Sequence, residues 1–263
     1  MKTISHSDRF SMLLAAVALA LAAGAAGAAE VRVMTSGAFT APYKELVPEF
    51  ERATGHKVIS AYGASQGGAP DSIPSRLDRG EPVDVVILAG PALDGLIQKG
   101  KVVPGSRVDI VRSTIGMVVR KGAPKPDIGS VEALKRTLLE TKSIAYSASA
   151  SGTYLSTEMF PRLGIADQIK GKTQRIVSER VGTVVARGDA EIGFQQVSEL
   201  LSIPGVDYVG PLPPEVQQVT FFSAGIGAGA KEPEAARELV RYFTSPSAAP
   251  VIAKHGLEPV TSP

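Results

Sequence analysis

The chain contains no cysteine and no tryptophan. Without cysteine there is no disulfide framework, no thiolate zinc site, no iron–sulfur cluster and no lipidated cysteine to act as an anchor. Histidine is almost as scarce. His6 lies in the N-terminal leader, and His56 and His255 stand far apart without flanking ligands, so neither a metal nor a cofactor is expected. An excess of charge of either sign is also missing, since 28 Lys and Arg face 26 Asp and Glu. Phosphate binding needs a basic surface, so nucleic acid is excluded as a partner.

What is present begins with a leader. Lys2, His6 and Arg9 give a basic opening, Met12 to Ala22 is an unbroken apolar run, and Ala26-Gly27-Ala28 offers a small-x-small cleavage site. Residues 1–28 therefore read as a secretory signal peptide, too short and wrongly flanked to anchor the chain in a membrane. The remainder is expected in the periplasm, as a monomer with a net charge of about +1.

From Glu30 onward, short apolar runs alternate with amphipathic stretches of helical length. Strands are expected over 31–34, 57–62, 83–88, 115–119, 143–146, 174–177, 191–194, 206–209 and 218–226. Helices are expected over 41–53, 71–79, 91–98, 131–139, 152–163, 181–187, 232–244 and 247–255. Strand–helix–strand units at this spacing imply right-handed crossovers and mainly parallel sheets. Two such blocks, followed by a late strand and terminal helices, imply two α/β lobes. Lobe one takes residues 30–112 and 220–263, lobe two takes 113–219, and the ligand cleft lies between them.

The strand-to-helix loops carry the chemistry. Thr35 to Thr40, Gly63 to Gly68, Ala89 to Pro91 and Ser147 to Thr153 each offer small residues, hydroxyls and free backbone N–H groups ahead of a helix. Such loops also serve as plain caps and turns. Four of them at the ligand-facing edge favour an anion site. Two other patterns are decoys. Gly95 to Lys101 spells G-x-x-x-x-G-K, but Val102 stands where a hydroxyl must meet magnesium, and the stretch ends a helix. Gly63 to Gly67 spells G-x-S-x-G, which would make Ser65 a nucleophile only with a histidine base and an oxyanion motif.

Gly37-Ala38-Phe39-Thr40, Gly80-Glu81-Pro82-Val83-Asp84-Val85-Val86-Ile87, Ser151-Gly152-Thr153-Tyr154 and Glu191-Ile192-Gly193-Phe194 together resemble the periplasmic molybdate-binding proteins. These are type II solute-binding proteins, two-lobed with the ligand cleft between lobes. The resemblance puts ligand contacts at Ala38 or Ser36, at Ser65 or Ser72, and at Ser151, Val181 and Gln196. Two of these positions depart from the pattern. Ala38 lacks a hydroxyl, and Gln196 replaces a tyrosine. With the inserted Gln66-Gly67-Gly68, they imply a ligand larger than a tetrahedral oxyanion.

The stretches Gly100 to Val108, Ile115 to Val119, Gly122 to Val131 and Gly193 to Leu200 are similar to the aconitate isomerase branch of that fold. That likeness implies a cofactor-free allylic proton shift between trans- and cis-aconitate. It also implies a tricarboxylate ligand held by Ser36, Gly37, Ala38, Ser65, Gln66, Ser151, Gly152, Thr153, Val181 and Gln196. Arg76 or Arg180 would clamp a carboxylate, and Tyr62, Tyr154 or Glu158 would carry the proton. The competing expectation is a receptor that delivers a carboxylate or oxyanion to an ABC permease.

Overall fold

A computed structural model describes residues 27–66 and 68–260, so residues 1–26 of the expected leader lie outside the described residues. Among the described residues, eleven strands are distributed over two sheets. They are β1 (Glu30–Thr35), β2 (Lys57–Tyr62), β3 (Val85–Ala89), β4 (Val108–Ser113), β5 (Ile115–Arg120), β6 (Ile144–Ser147), β7 (Thr173–Ile176), β8 (Ile192–Gln196), β9 (Val206–Pro211), β10 (Thr220–Ile226) and β11 (Glu258–Pro259). The first sheet has the order β11-β4-β10-β3-β1-β2, and the second β7-β6-β8-β5-β9.

Each sheet is mixed. The parallel expectation holds for one trio per lobe, β2-β1-β3 and β7-β6-β8. The remaining strands join antiparallel: β10 on β3 and β4, β11 on β4, and β5 on β8 and β9. The reason is connectivity. β4 leaves the first sheet and β10 returns to it, so these two run in opposite directions beside each other. Ser113 ends β4, Ile115 begins β5, and only Thr114 lies between the two sheets there.

Both sheets are covered on both faces by the helices α1 (Gly37–Thr54), α2 (Ile73–Asp78), α3 (Gly90–Gln98), α4 (Val131–Glu140), α5 (Ala150–Tyr154), α6 (Phe160–Arg162), α7 (Ala166–Ile169), α8 (Val181–Arg187), α9 (Val197–Leu201), α10 (Pro233–Phe243) and α11 (Ala249–Lys254). The period of two along β3 shows this directly. Val85, Ile87 and Ala89 pack with Phe39, Tyr43 and Phe50 of α1 and Phe243 of α10, while Val86 and Leu88 pack with Leu77 of α2 and Leu93 of α3. In the second sheet Met117 and Val119 face α4 and the α5–α6 segment, and Val118 faces α8. Burying each such Val, Ile, Leu, Met or Phe side chain contributes about 1.5–3 kcal/mol.

Helix α1 starts at Gly37, four residues before the expected Ala41, and carries Pro42 and Pro48 inside it. Pro42 has no N–H for the carbonyl of Ala38. Ser198 Oγ of α9 donates to that carbonyl instead, at 2.8 Å. Strand β4 was not expected, because Asp109 and Arg112 break its apolar run. Asp109 is satisfied by Ser223 Oγ at 2.6 Å and by Arg107, which makes the polar position tolerable.

Candidate functional site

The carboxyl ends of β1 and β2 in one sheet and of β6, β7 and β8 in the other open onto a shared cleft of about 280 Å³. On one wall, Ser36 precedes α1 in an extended conformation, and its N–H donates to Ile87 O at 2.8 Å. Its hydroxyl makes no capping bond and is buried without a partner. In the first turn of α1 the Phe39 N–H is taken by Ser36 O at 3.3 Å, which leaves those of Gly37 and Ala38, and the turn carries no acidic residue of its own.

On the opposite wall, Gln196 ends β8. Its Oε1 accepts from Ser113 Oγ at 2.7 Å, and its Nε2 is buried without a partner. Both residues line the cleft, one from each lobe, and each carries a buried donor without a partner. A buried donor left unmade is costly, so the pair calls for an acceptor-rich ligand. Ser147, Ser149 and Ser151 add hydroxyls around the start of α5, and Arg180 adds a positive charge steadied by Ser202 Oγ at 2.9 Å.

The second wall also supplies Glu199. Its Oε1 accepts from Gln195 Nε2 at 2.8 Å, and Gln195 Oε1 in turn accepts the Val181 N–H at 2.9 Å. The carboxyl lies so close over Gly37 that a Cβ there would collide with it. Burial pushes the Glu199 carboxyl up to about 7, against the lowering pull of Arg180 and of the Gln195 hydrogen bond.

Several expected residues gather here. Ser36, Gly37, Ala38, Tyr62, Ser65, Ser151, Arg180 and Gln196 line the cleft. Ser65 Oγ accepts the Ala89 N–H at 3.0 Å. His56 faces Glu238 and His255 faces Glu45, so neither histidine serves Ser65 and the hydrolase pattern has no base. Ser72 is occupied as the N-cap of α2.

Others lie elsewhere, for identifiable reasons. Arg76 is drawn to Glu81, with Nε and Nη2 both 2.8 Å from Oε2, and does not line the cleft. Val181 is fully buried and its N–H is spent on Gln195. Gly152 packs against the Ser147 carbonyl, where a Cβ would collide. Tyr154 donates its hydroxyl to Val216 O at 2.9 Å within the core of the second lobe, and burial raises its pKa. Gln66, Thr153, Tyr154 and Glu158 line a second cavity of about 200 Å³ between the lobes. There Gln66 Nε2 donates to Thr153 Oγ1 at 3.0 Å across the lobes.

Glu199 and Gln195 are the functional candidates that sequence reasoning missed. The available signal was a glutamine and a glutamate four residues apart, at the junction where a strand meets a helix at its carboxyl end. The expected strand stopped at Phe194, and no helix was expected after it.

Residues 31–258 match the model of a family described as bacterial extracellular solute-binding protein. An aconitate isomerase of a Pseudomonas species is 47% identical over 228 residues, 87% of either chain. A molybdate-binding protein of Azotobacter vinelandii is 31% identical over 258 residues, 95% of this chain and 98% of the relative. Among solved structures, the periplasmic molybdate-binding protein of Azotobacter vinelandii shares the fold with a TM-score of 0.68 at 21% identity, covering 86% of this chain and 98% of the other. With a family match across almost the whole described chain, and an inter-lobe cleft where such a fold holds its solute, the chain belongs to the bacterial extracellular solute-binding protein family.

Proposed function

We propose that this protein is a periplasmic isomerase, active as a monomer, that interconverts trans- and cis-aconitate in the inter-lobe cleft. The observation that carries the reading is the pair of buried, unpartnered donors at Ser36 and Gln196, residues that line the one cleft from the two lobes. A branched tricarboxylate presents acceptors in several directions and can meet both donors at once. A tetrahedral oxyanion wants a tight hydroxyl cage, and here Ala38 and Gln196 interrupt it. The identity to an aconitate isomerase supports the same substrate.

The chemistry suits the site. A methylene proton next to a carboxylate becomes acidic when the adjacent charge is stabilised by fixed donors. The free N–H groups of α1, the Ser36 hydroxyl and the Gln196 amide supply such donors, and Arg180 offers a charge-assisted contact for a further carboxylate. A second reading, a receptor serving an ABC permease, is favoured by the similarity to a molybdate-binding protein over nearly the full length. The two separate in one experiment. Purified protein mixed with trans-aconitate is followed by proton NMR for cis-aconitate. Interconversion supports the isomerase. Tight binding without turnover supports the receptor.

A further inference from the structure

Among the groups lining the cleft, one carboxyl is placed to move a proton. We propose that Glu199 is the catalytic proton carrier of the allylic shift and that Gln195 is its positioning residue. The inference rests on the isomerase reading above.

The choice follows from how each acidic group in the cleft is held. Asp71 is exposed at the rim, and Glu179 is spent on Arg187, with contacts of 2.7 and 3.0 Å. Glu199 has a single donor, Gln195 Nε2 on Oε1, and among the described residues Oε2 accepts no protein hydrogen bond. One oxygen is thereby fixed and the other is left for substrate. Gln195 is held in turn by the Val181 N–H, so the amide cannot rotate away without breaking a buried bond. Oε1, the oxygen held by Gln195, is the one against Gly37, so the carboxyl group sits beside Ser36 and the α1 N-terminus that would hold a substrate carboxylate. Of the three residues expected for this role, Tyr154 bonds into the core and Glu158 lines the second cavity, while Tyr62 lines the cleft as an exposed side chain at its rim.

The step balances without a co-reactant. The Glu199 carboxylate takes a proton from the substrate methylene carbon. The C–H electron pair becomes the new carbon–carbon double bond. The old π pair takes the proton back from the Glu199 carboxyl at the former vinyl carbon. The enzyme ends as it began. Between the two transfers, negative charge spreads over the allyl unit and its carboxylate, toward Ser36 and the α1 N–H groups.

The other ionisable groups lining the cleft are Lys44, Tyr62, Asp71, Glu179 and Arg180. A base must be deprotonated to act, so the wild-type kcat/KM should rise with pH and level off above about 7, where Glu199 ionises. Glu199→Gln should lose about 10²-fold or more in kcat while calorimetry shows aconitate affinity within a few-fold of wild type. Glu199→Asp, which keeps a titratable group, should recover part of the rate. Gln195→Glu keeps the acceptor for the Val181 N–H but sets a second carboxylate beside the first, so the rising limb should move alkaline.

The outcomes separate cleanly. If wild type interconverts aconitate and folded Glu199→Gln does so equally well, Glu199 is not the carrier. Should Glu199→Gln fail to fold, an unshifted pH profile in Gln195→Glu overturns the assignment on its own. If wild type itself never turns aconitate over, the isomerase reading falls and takes this assignment with it.

Discussion

Gly37 shows how much of this site depends on a missing atom. The Glu199 carboxyl occupies the space that a Cβ at Gly37 would need. The obstacle is the end of a flexible side chain, so Gly37→Ala should fold, and alanine in place of glycine favours a helix. The carboxyl, however, must swing away from the α1 N-terminus. Turnover should fall roughly 10²-fold, the usual cost of misplacing a reacting group by about 1 Å, with thermal stability unchanged or slightly higher. Steady-state kinetics beside a thermal melt checks both halves. The loop residues Ser36, Gly37, Ala38, Ser65 and Ser151 were legible as cleft-lining from local composition, because a small polar loop between strand and helix has few other places to sit. Arg76 was not, because a long side chain goes to the nearest carboxylate, and Glu81 lies five residues along the same chain. Glu199 was hidden because its environment is assembled by the approach of two lobes distant in sequence.

At the scale of elements, the instructive case is α1. The expected helix over 41–53 follows the apolar periodicity, which starts later than the helix itself. The helix runs back to Gly37 because the carbonyl left unpaired by Pro42 finds a donor on another element, Ser198 of α9. This has a testable consequence. Ser198→Ala leaves the Ala38 carbonyl buried and unpaired, which should cost about 1–3 kcal/mol in denaturant unfolding. Pro42→Ala restores an N–H for that carbonyl, so the same Ser198→Ala change should cost clearly less in the Pro42→Ala background. Strictly additive losses would show that the two sites are not coupled through Ala38. Strand β4 escaped notice for a related reason. Asp109 is answered by Ser223 and the neighbouring Arg107, and Arg112 by Glu258 through Nη1; Ser223 and Glu258 come from segments far along the chain. The alternating strands and helices that build the parallel trios were legible because their signal is local.

For the whole molecule, the two lobes are joined at two crossings, and one side chain ties the crossings together. Gln217 Oε1 accepts the Ile115 N–H at 2.8 Å, and its Nε2 donates to Ile115 O at 2.9 Å. Ser113, at the end of the first crossing strand, holds the Gln196 amide that faces the cleft. The clamped Ile115 and the side chain that holds Gln196 therefore share one short stretch of chain, residues 113–115. Closure of such lobes is expected to be a rigid rotation about the crossings, with the cleft donors reaching their productive geometry only when the hinge is set. Gln217→Ala removes both backbone contacts while leaving every cleft side chain in place. Amide exchange should quicken at Ile115 and over residues 217–220. Aconitate affinity should weaken by about tenfold, the equivalent of roughly 1.4 kcal/mol. Scattering from the ligand-free variant should give a larger radius of gyration than wild type, and saturating aconitate should bring the two together, because the ligand binds only the closed arrangement and selects it in both proteins. Faster exchange with unchanged affinity and size would mean that the Gln217 clamp stiffens the crossing without setting the angle between the lobes.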